Sequence, residues 1–479
     1  MKYKLPLFAI IFFCVIHTQA QELWSLEKCI SYALTNNIQI KQQQLSVEMS
    51  KEDLLQSKGN LFPDLNANAT HVYNFGQTVD RYTNTFAKSR VQSNNFYLSS
   101  NVVLFNGLQS FNNIKKNRLD LQASKFDLDK IKDDISLQIA TYYLNILFNI
   151  ELLNVAQSQV EITKQQLERS KKLVEAGADS KSKQLTLEAQ VASEEMQVVD
   201  AQNQLDLSHL MLTQLLDLPT PKGFDIERPD IDINRENLEL ISPELVYTTA
   251  VTNRPEIKSS EIKLKSSKTT IDIAKGALSP SLMLSGSVGT GYSEARQAYN
   301  GMRSTGVNDT LGYINIAGSD YYLISPGQEI LYKKTPFGTQ LKDNLNESVG
   351  LYLSIPLFNR LQTRNQISKA KIAWKNAEYT LELSKTQLNK TIQQSFADAT
   401  AAFKRYVAAQ KSVEALKESF NYAEQRFNVG MLNPTDYNDA KNKLTKAQSD
   451  LLQAKYNYIF RKKILDFYYG KPLTLKQTK

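Results

Sequence analysis

VLFNGLQSFNNI, residues Val103–Ile114, returns with variation as IPLFNRLQTRNQI, residues Ile355–Ile367, in the second half of the chain. The offset that aligns the two Phe-Asn pairs also carries Gly177 onto Gly430. Upstream, the two halves align at a shorter offset, so the second half holds additional residues before Ile355. Similarity at a constant offset indicates a duplicated unit. The fold is therefore predicted to be internally duplicated.

Each unit is predicted to contain a helix, two strands, a very long helix, a glycine turn and a further helix. Pro221, Gly223 and Pro229 fall between the units, and such a density of breakers is typical of a connector. The additional residues of the second unit are rich in Gly, Asn and Tyr, as in the long outer loops of membrane barrels. The predicted organisation is a signal peptide at 1–20, a first repeat at 21–219, a linker at 220–241 and a second repeat at 242–479, with a long extracellular loop at 294–346.

The first twenty residues have the composition of a secretory signal peptide. Lys2 and Lys4 precede the apolar run Leu5–Ile16, and Ala20 supplies a small residue at the cleavage position. The alternative, a membrane anchor, is disfavoured because a spanning helix needs about 20 apolar residues. Cleavage would leave Cys29 as the only cysteine, which excludes an intrachain disulfide. We find no later stretch apolar enough for a membrane helix, so the exported chain is expected to be soluble or a β-barrel.

Two very long helices are predicted, because no Gly or Pro occurs between Gly107 and Gly177 or between Arg360 and Gly430. Each helix would extend about 100 Å at 1.5 Å per residue. Apolar residues recur every seven positions, which favours coiled-coil-like packing between helices. The repeated positions are Ile114, Leu121, Leu128, Ile135 and Tyr142 in the first unit and Ile367, Trp374, Leu381 and Leu388 in the second.

Four segments alternate apolar and polar residues, as β-strands with two different faces do. The clearest is Ser348–Ile355, and the others are Leu65–Thr70, Phe96–Val102 and Leu282–Gly289. Their lengths suit membrane strands, which need about 9–11 residues with a lipid face and a polar lumen face. A soluble antiparallel sheet with one buried face would show the same alternation. The pattern alone leaves both readings open.

Four strands cannot close a barrel in lipid, because the smallest membrane barrels have about eight. An open sheet would leave unpaired backbone groups in hydrocarbon, at a cost of several kcal/mol each. If these strands lie in a membrane, several chains must share one barrel. Two copies would give eight strands and three would give twelve, and the strand count does not choose between them.

The order of elements, the duplication and the uninterrupted helices resemble the TolC family of outer-membrane export ducts. SLEKCISYALTNNIQI (Ser25–Ile40) resembles the opening helix of that family. Phe62-Pro63-Asp64 resembles the entry to its first strand, and Phe105-Asn106-Gly107 resembles the exit from its second. The likeness covers essentially the whole mature chain, and the architecture is more specific than any single motif.

The resemblance implies a mixed α and β membrane protein. Three chains would each contribute four strands to a twelve-stranded outer-membrane β-barrel, continued by a long periplasmic α-helical barrel. The homotrimer would contact outer-membrane lipid, a periplasmic adaptor (membrane fusion) protein and an inner-membrane RND, ABC or MFS transporter. It would be the exit channel of an efflux or secretion system, conducting substrates passively to the exterior. The cargo and the particular pump are not implied.

The long helices are predicted to end in helical turns at Gly177 and Gly430, because glycine past a helix end favours the left-handed cap. After Gly430, Asn433 is placed to cap a new helix and Pro434 to occupy its first position. These four residues are predicted to form the tips of two helical hairpins. By the family resemblance, the tips lie at the periplasmic mouth and dock the adaptor.

Asp436 and Asp439 follow the second turn and lie three positions apart, so both point to one face of the helix. Under threefold symmetry they would form two acidic rings, which select cations and can hold a constriction. The resemblance assigns them to a periplasmic gate, because the family carries acids at the same spacing after the matching glycine. The alternative is that acids are favoured in a first helical turn by the helix dipole.

Both units depart from the family at the gate. Lys183 stands where the family can carry an acid that locks the closed state, and Leu432 stands where a basic locking residue is found. Lys181 and Lys183 are the candidate latch partners for the two aspartates.

Other chemistry receives little support from the sequence. His71 and His209 are the only histidines after cleavage, and no metal-ligand cluster, phosphate loop or nucleophile elbow appears. We therefore predict neither an enzyme nor a cofactor or metal. The net charge of +8 is spread along the chain, so a nucleic-acid partner is not indicated. The alternatives to an efflux channel are a type I protein secretion channel and a secreted, non-conducting helical stalk or adhesion protein.

Overall fold

The computed structural model describes residues 23–79, 84, 86–87, 90–178, 180–219, 223–229 and 241–475. The predicted signal peptide and most of the predicted linker lie outside the described residues. The chain divides into two compact units. The first unit comprises the described residues within Met1–Lys51, Leu119–Lys265 and Lys375–Lys479, and the second comprises those within Glu52–Arg118 and Ser266–Trp374.

Among the described residues, the helices form two matching series. The first four contain 11, 22, 67 and 35 residues, and so do their counterparts in the second half of the chain. The first series is α1 (Leu26–Asn36), α2 (Ile38–Gly59), α3 (Gln109–Glu175) and α4 (Lys181–Leu215). The second is α5 (Pro243–Asn253), α6 (Pro255–Gly276), α8 (Gln362–Asn428) and α9 (Pro434–Tyr468), with the short α7 (Phe337–Asp343) between α6 and α8.

The two predicted long helices are confirmed as α3 and α8, each of 67 residues. The seven-residue positions face inward as predicted: none of the nine is exposed, and Ile135 and Leu388 are buried. A stripe at this spacing stays on one side of a helix, which explains why two helices without breakers bury only part of their surface.

The core of the first unit centres on the middle of α3. Ile139, Tyr143, Ile146 and Ile150 recur at helical spacing and pack with the buried Cys29 of α1. Burial raises the pKa of the Cys29 thiol to about 12. One stretch of α3 is long and apolar enough to cross a membrane by length and composition, which corrects the expectation that no such stretch follows the signal peptide. Because 56% of that stretch is buried inside the protein, we interpret it as a core segment.

The second unit contains a four-stranded antiparallel sheet in the order β1-β4-β5-β8. All four predicted strands are present, and each is longer than its predicted segment. The strands of this sheet are β1 (Asn66–Asn74), β4 (Val91–Asn106), β5 (Ser281–Ser293) and β8 (Asn346–Ser354). The short β2 (Thr78–Val79) and β3 (Phe86–Ala87) lie between β1 and β4 in the sequence and pair with each other in a separate two-stranded sheet.

The register gathers the apolar residues of the strands on one face. Leu284 of β5 lies opposite Leu351 of β8 on one side and Val102 of β4 on the other. Leu98 of β4 lies opposite Ala67 of β1. Directly opposed residues of an antiparallel pair project to the same face. The alternation read in each strand therefore continues across the whole sheet.

This apolar face is open to its surroundings. Val349 and Leu351 of β8 expose 83% and 66% of their surface. Among the described residues, β1 pairs only with β4 and β8 only with β5, so both edges of the sheet lack a neighbouring strand. A soluble sheet would cover such a face and blunt such edges.

The segment predicted as a long polar loop, 294–346, differs from that prediction. It forms a β-hairpin of β6 (Gln297–Ile316) and β7 (Ser319–Lys334), followed by α7. Ala317 and Gly318 both have positive φ (50° and 85°), the backbone that suits the twist of a two-residue hairpin turn. The turn was missed because alanine rarely adopts this conformation. The buried amide of Gln340 fixes the base of the hairpin, donating to the carbonyls of Ser293 (2.9 Å) and Thr335 (3.0 Å).

Candidate functional site

The two helical turns of the first unit have the conformation that the sequence predicts. α3 ends at Glu175 and α8 at Asn428, and each is followed by a glycine with positive φ, +71° at Gly177 and +78° at Gly430. Beyond Gly430, the Met431 amide donates to the Arg426 carbonyl at 2.8 Å, and the Gly430 amide donates to Phe427 at 3.1 Å. This pair of bonds satisfies the last carbonyls of the helix.

The first turn has the same pair of bonds. The Ala178 amide donates to the Leu173 carbonyl at 2.8 Å, and the Gly177 amide donates to Val174 at 3.0 Å. Both glycines are exposed, and a Cβ at either position would meet open space. The left-handed backbone, and not crowding, is therefore what favours glycine at these tips.

The helices that leave the turns are capped by side chains. The Asn433 Oδ1 accepts from the Asp436 amide at 2.8 Å, and its Nδ2 donates to the Asp436 carboxylate at 2.8 Å. Pro434 begins α9, as predicted. On the first turn, the Ser180 hydroxyl accepts from the Lys183 amide at 3.3 Å and begins α4. The sequence reading named Asn433 as a cap and missed Ser180.

The predicted gate residues Asp436 and Asp439 are both exposed near the start of α9. Within one chain, each carboxylate has a partner on the same segment: Asp436 accepts from Asn433, and Asp439 lies 2.7 Å from the Lys443 ammonium. The spacing of Asp436, Asp439 and Lys443 places all three on one side of the helix. This side of α9 is therefore charged and wet in the isolated chain.

The two candidate latch lysines lie elsewhere at the tip. Lys181 donates to the side chain of Gln184 at 3.0 Å, and the Lys183 ammonium lies 4.5 Å from the centre of the Phe427 ring. Neither of these contacts involves Asp436 or Asp439. A cation over an aromatic face is a favourable contact of its own, so Lys183 joins the first turn to the end of α8.

The opposite side of α9 is buried, which the sequence reading missed. Tyr437, between the two aspartates in sequence, is fully buried and accepts a hydrogen bond from the Gln166 side chain of α3. Its ring lies 4.4 Å from the Phe427 ring and 5.4 Å from the Phe420 ring. Burial raises the pKa of the Tyr437 hydroxyl to about 12, so the residue stays neutral at physiological pH.

One turn further along α9, Lys441 enters a buried polar cluster, also missed. Its ammonium contacts Glu194 of α4 at 3.3 Å, the Gln159 carbonyl of α3 at 3.1 Å and the Thr163 hydroxyl. Burial lowers the pKa of the Lys441 ammonium, and the Glu194 carboxylate opposes that change. Nothing local in the sequence marks this lysine, because its partners lie on two other helices.

A cleft of about 550 Å³ lies beside the two tips. Its lining includes Arg169, Lys183 and Asn428, and the Arg169 guanidinium donates to the Asn428 side chain at 2.8 Å. The site as a whole consists of two exposed glycine turns, an exposed acidic pair and a buried polar contact between helices. These groups can attract cations and hold helices in position.

Comparison with known proteins shows which family has this architecture. A model of the family described as "Outer membrane efflux protein" matches residues 29–217 and 246–470. Outer membrane protein TolC of Escherichia coli K12 is 22% identical over 444 residues, covering 91% of this chain and 80% of that protein. TolC of Vibrio cholerae is 20% identical over 461 residues, covering 96% and 93%.

Solved structures share the fold at low sequence identity. The outer membrane protein VceC from Vibrio cholerae superposes with a TM-score of 0.71 at 16% identity, covering 93% of this chain and 96% of that one. The CmeC outer membrane channel of Campylobacter jejuni gives a TM-score of 0.70 at 18% identity, covering 93% and 85%. The open state of the MtrE channel of Neisseria gonorrhoeae gives 0.68 at 18% identity, covering 93% and 88%.

Proposed function

This chain belongs to the outer membrane efflux protein family, and from that premise we propose that three copies form one duct through the outer membrane. The chain is an outer-membrane efflux protein, and the duct is the passive exit channel of a tripartite system. Each copy supplies four strands to a twelve-stranded barrel and its long helices to a periplasmic tunnel. The likeness to solved channels supports the fold of each copy.

The observation that carries this proposal is the open sheet. Its apolar face, including Val349 and Leu351, is exposed in the single chain, and its edges β1 and β8 have no partner among the described strands. Within a bilayer, unpaired strand edges are too costly to persist, so the edges must pair with strands from other copies. Lipid then covers the apolar face, as it does on membrane barrels.

The matching helix lengths support the proposed duplication and the tunnel. The 67-residue helices α3 and α8 present apolar seams at seven-residue spacing, and the 35-residue helices α4 and α9 return from the turns. Six long seams from three copies, arranged around an axis, would enclose a wet channel. The polar residues that fill most other positions suit such a surface.

We further propose that the tips are the periplasmic mouth. The exposed turns at Gly177 and Gly430, with Asn433 and Pro434, would dock a periplasmic adaptor protein that connects to an inner-membrane transporter. Asp436 and Asp439 would form two acidic rings that restrict the mouth and favour cations. The exposure of both aspartates supports this role, and Lys181 and Lys183 remain the proposed latch partners.

Two measurements on purified full-length protein test the duct. The mass of the detergent-solubilised complex should correspond to three chains, and planar bilayers should show discrete conductance steps. A monomer that gives no current would overturn the proposal and favour a helical stalk. If the duct is confirmed, co-purification with an adaptor and a transporter would show which export system it serves. Type I protein secretion is one of the possible systems.

The gate is tested by removing both acids. Asp436→Ala combined with Asp439→Ala should weaken cation selectivity and block by multivalent cations, because the rings supply the negative potential at the mouth. A matched control removes two other exposed carboxylates, Asp206→Ala with Asp450→Ala, and should leave selectivity unchanged. Equal selectivity in both double variants would contradict the gate assignment. The two acids would then be explained by their favourable interaction with the positive end of the helix dipole.

A further inference from the structure

The strongest unexplained feature of the first unit is a charged pair sealed inside the helices. Lys441 of α9 and Glu194 of α4 each expose only 2% of their side chain, with 3.3 Å between Nζ and Oε1. The lysine ammonium has three donors, and three acceptors surround it: Glu194, the Gln159 carbonyl and the Thr163 hydroxyl. The Gln190 side chain also donates to Glu194 at 2.8 Å. The pair therefore joins three helices, and each of the three donors of the lysine has an acceptor.

A buried ion pair contributes little to the free energy of folding. Burying two charges costs desolvation energy that their attraction barely offsets, and apolar residues of the same volume often serve as well. Removing one partner is different, because the remaining charge is left buried without compensation. This pair therefore favours the arrangement of α3, α4 and α9 that keeps both charges partnered, and a small movement between these helices would leave a charge buried without its partner.

The surrounding contact between α3 and α9 is also polar. Gln159, Thr163, Gln166 and Ser170 recur along one face of α3, and this face meets Tyr437 and Lys441 of α9. Among the described residues, several buried polar atoms here have no hydrogen-bond partner. They are Gln159 Nε2, Gln166 Oε1 and Ser170 Oγ on α3 and Asn438 Oδ1 on α9.

The other end of the contact is apolar. Ile459 of α9 packs in the core cluster with Ile139 and Ile146 of α3. Separating that end would expose apolar surface to water, which is unfavourable. Separating the polar end would instead hydrate the charges and the unpaired polar atoms, so its net cost is lower. The first turns of α9 are therefore the part of the helix that can move away from α3 and α4 most easily.

These turns are the ones that carry the acidic pair. Tyr437 and Lys441 lie four residues apart on the buried side of α9, whereas Asp436, Asp439 and Lys443 lie on the exposed side. A helical turn is rigid, so fixing the buried side also fixes the direction of the exposed side. The position of Lys441 therefore determines where the two carboxylates point.

We propose that Lys441 is a positioning residue for the acidic mouth: its buried contact with Glu194, Thr163 and Gln159 holds the start of α9 against α3 and α4, and opening separates this contact. This inference rests on the proposed function, since it assigns a control element to the same mouth. Lys441 is buried, so it acts through the placement of Asp436 and Asp439.

The test compares three variants of the full-length protein in planar bilayers, measured channel by channel so that yield does not matter. Lys441→Met leaves Glu194 buried without its cation and should raise the open fraction by about tenfold or more, with weaker block by multivalent cations. Lys441→Met with Glu194→Met replaces the two buried charges by apolar side chains and should lower the open fraction below that of the wild type. Lys446→Met, the same change at an exposed position of α9, is the matched control and should behave as the wild type.

The opposite signs distinguish positioning from general loss of structure, because a merely structural pair would change the amount of assembled protein and not the behaviour of each channel. If Lys441→Met does not assemble, the test is the open fraction of the double variant, which leaves neither charge of the pair, compared with that of Lys446→Met. Channels of both variants that match Lys446→Met would overturn the inference and leave the duct intact. A wild-type protein that gives no current would overturn the proposed function itself.

Discussion

At the scale of single residues, placement decides what a charge does. Lys443 and Lys441 lie two positions apart on α9, and each contacts a carboxylate. The Lys443–Asp439 pair is exposed on both sides, and such pairs contribute about 0–1 kcal/mol. The Lys441–Glu194 pair is buried, so loss of either partner leaves the other charge buried without compensation. The sequence shows the same residue type at both positions.

The partly buried carboxylate of Asp133 in α3 gives a prediction about pH. It lies 3.2 Å from the Arg254 guanidinium, but burial raises its pKa to about 6, above the ordinary value of 3.8. The folded state therefore holds this proton more tightly than the unfolded chain. The resulting stability is fully present below about pH 4 and is lost as the pH rises through 6.

Asp133→Asn mimics the protonated carboxyl and should remove this dependence. As the pH rises from 4 to 7, the wild type should lose stability and the variant should not. The stability of the variant relative to the wild type should therefore increase by an amount on the order of 1 kcal/mol, given the partial exposure of the side chain. The measurement is the difference in Tm between the two proteins in detergent at each pH. Asp206→Asn, at an exposed position of α4, is the control. A Tm difference for Asp133→Asn that is the same at both pH values would contradict the prediction.

At the scale of elements, local rules set where helices stop and start. The absence of Gly and Pro predicts α3 and α8, and their ends at Gly177 and Gly430 follow from the conformation that glycine permits. The hairpin β6–β7 shows the limit of such rules. Its turn uses Ala317 in a left-handed conformation, and cross-strand pairing over 297–334 compensates for that choice.

Gly430→Ala should destabilise the protein by about 1–2 kcal/mol, because a side chain at φ +78° is strained although space is open around it. Gly430→Asn should cost less, since asparagine tolerates this backbone. Gly338→Ala is the matched control: it lies within α7, with open space and no left-handed backbone, and should be neutral or slightly stabilising. Thermal unfolding in detergent measures all three, and equal Tm values for the two alanine variants would refute the argument.

At the scale of the whole molecule, the exposed sheet decides the environment. One face carries apolar residues from all four strands, and the opposite face of β8 carries residues such as Ser348. The family establishes the outer membrane as the location. The proposed barrel explains why so much apolar surface is left uncovered in a single chain.

Leu351→Arg should strongly reduce the amount of assembled protein in the outer membrane, because a cationic side chain facing the lipid midplane costs about 2–4 kcal/mol. Ser348→Arg places the same side chain on the proposed lumen face and should assemble nearly as well as the wild type. Quantitative blotting of the outer-membrane fraction compares them. Similar assembly of the two variants would show that the Leu351 face does not meet lipid.

The sequence by itself determined the features that depend on neighbouring residues: the two long helices, the glycine turns, the Asn433 cap and the apolar face of each strand. A period or a backbone preference is fixed within a few positions, so it can be read without the fold. Only the tertiary structure decided that Tyr437 and Lys441 are buried, that Lys441 meets Glu194 across 247 positions of sequence, and that Gln340 fixes the hairpin base. Burial and partnership arise where distant segments pack together, and the energy of a charge depends on that packing more than on its neighbours in the chain.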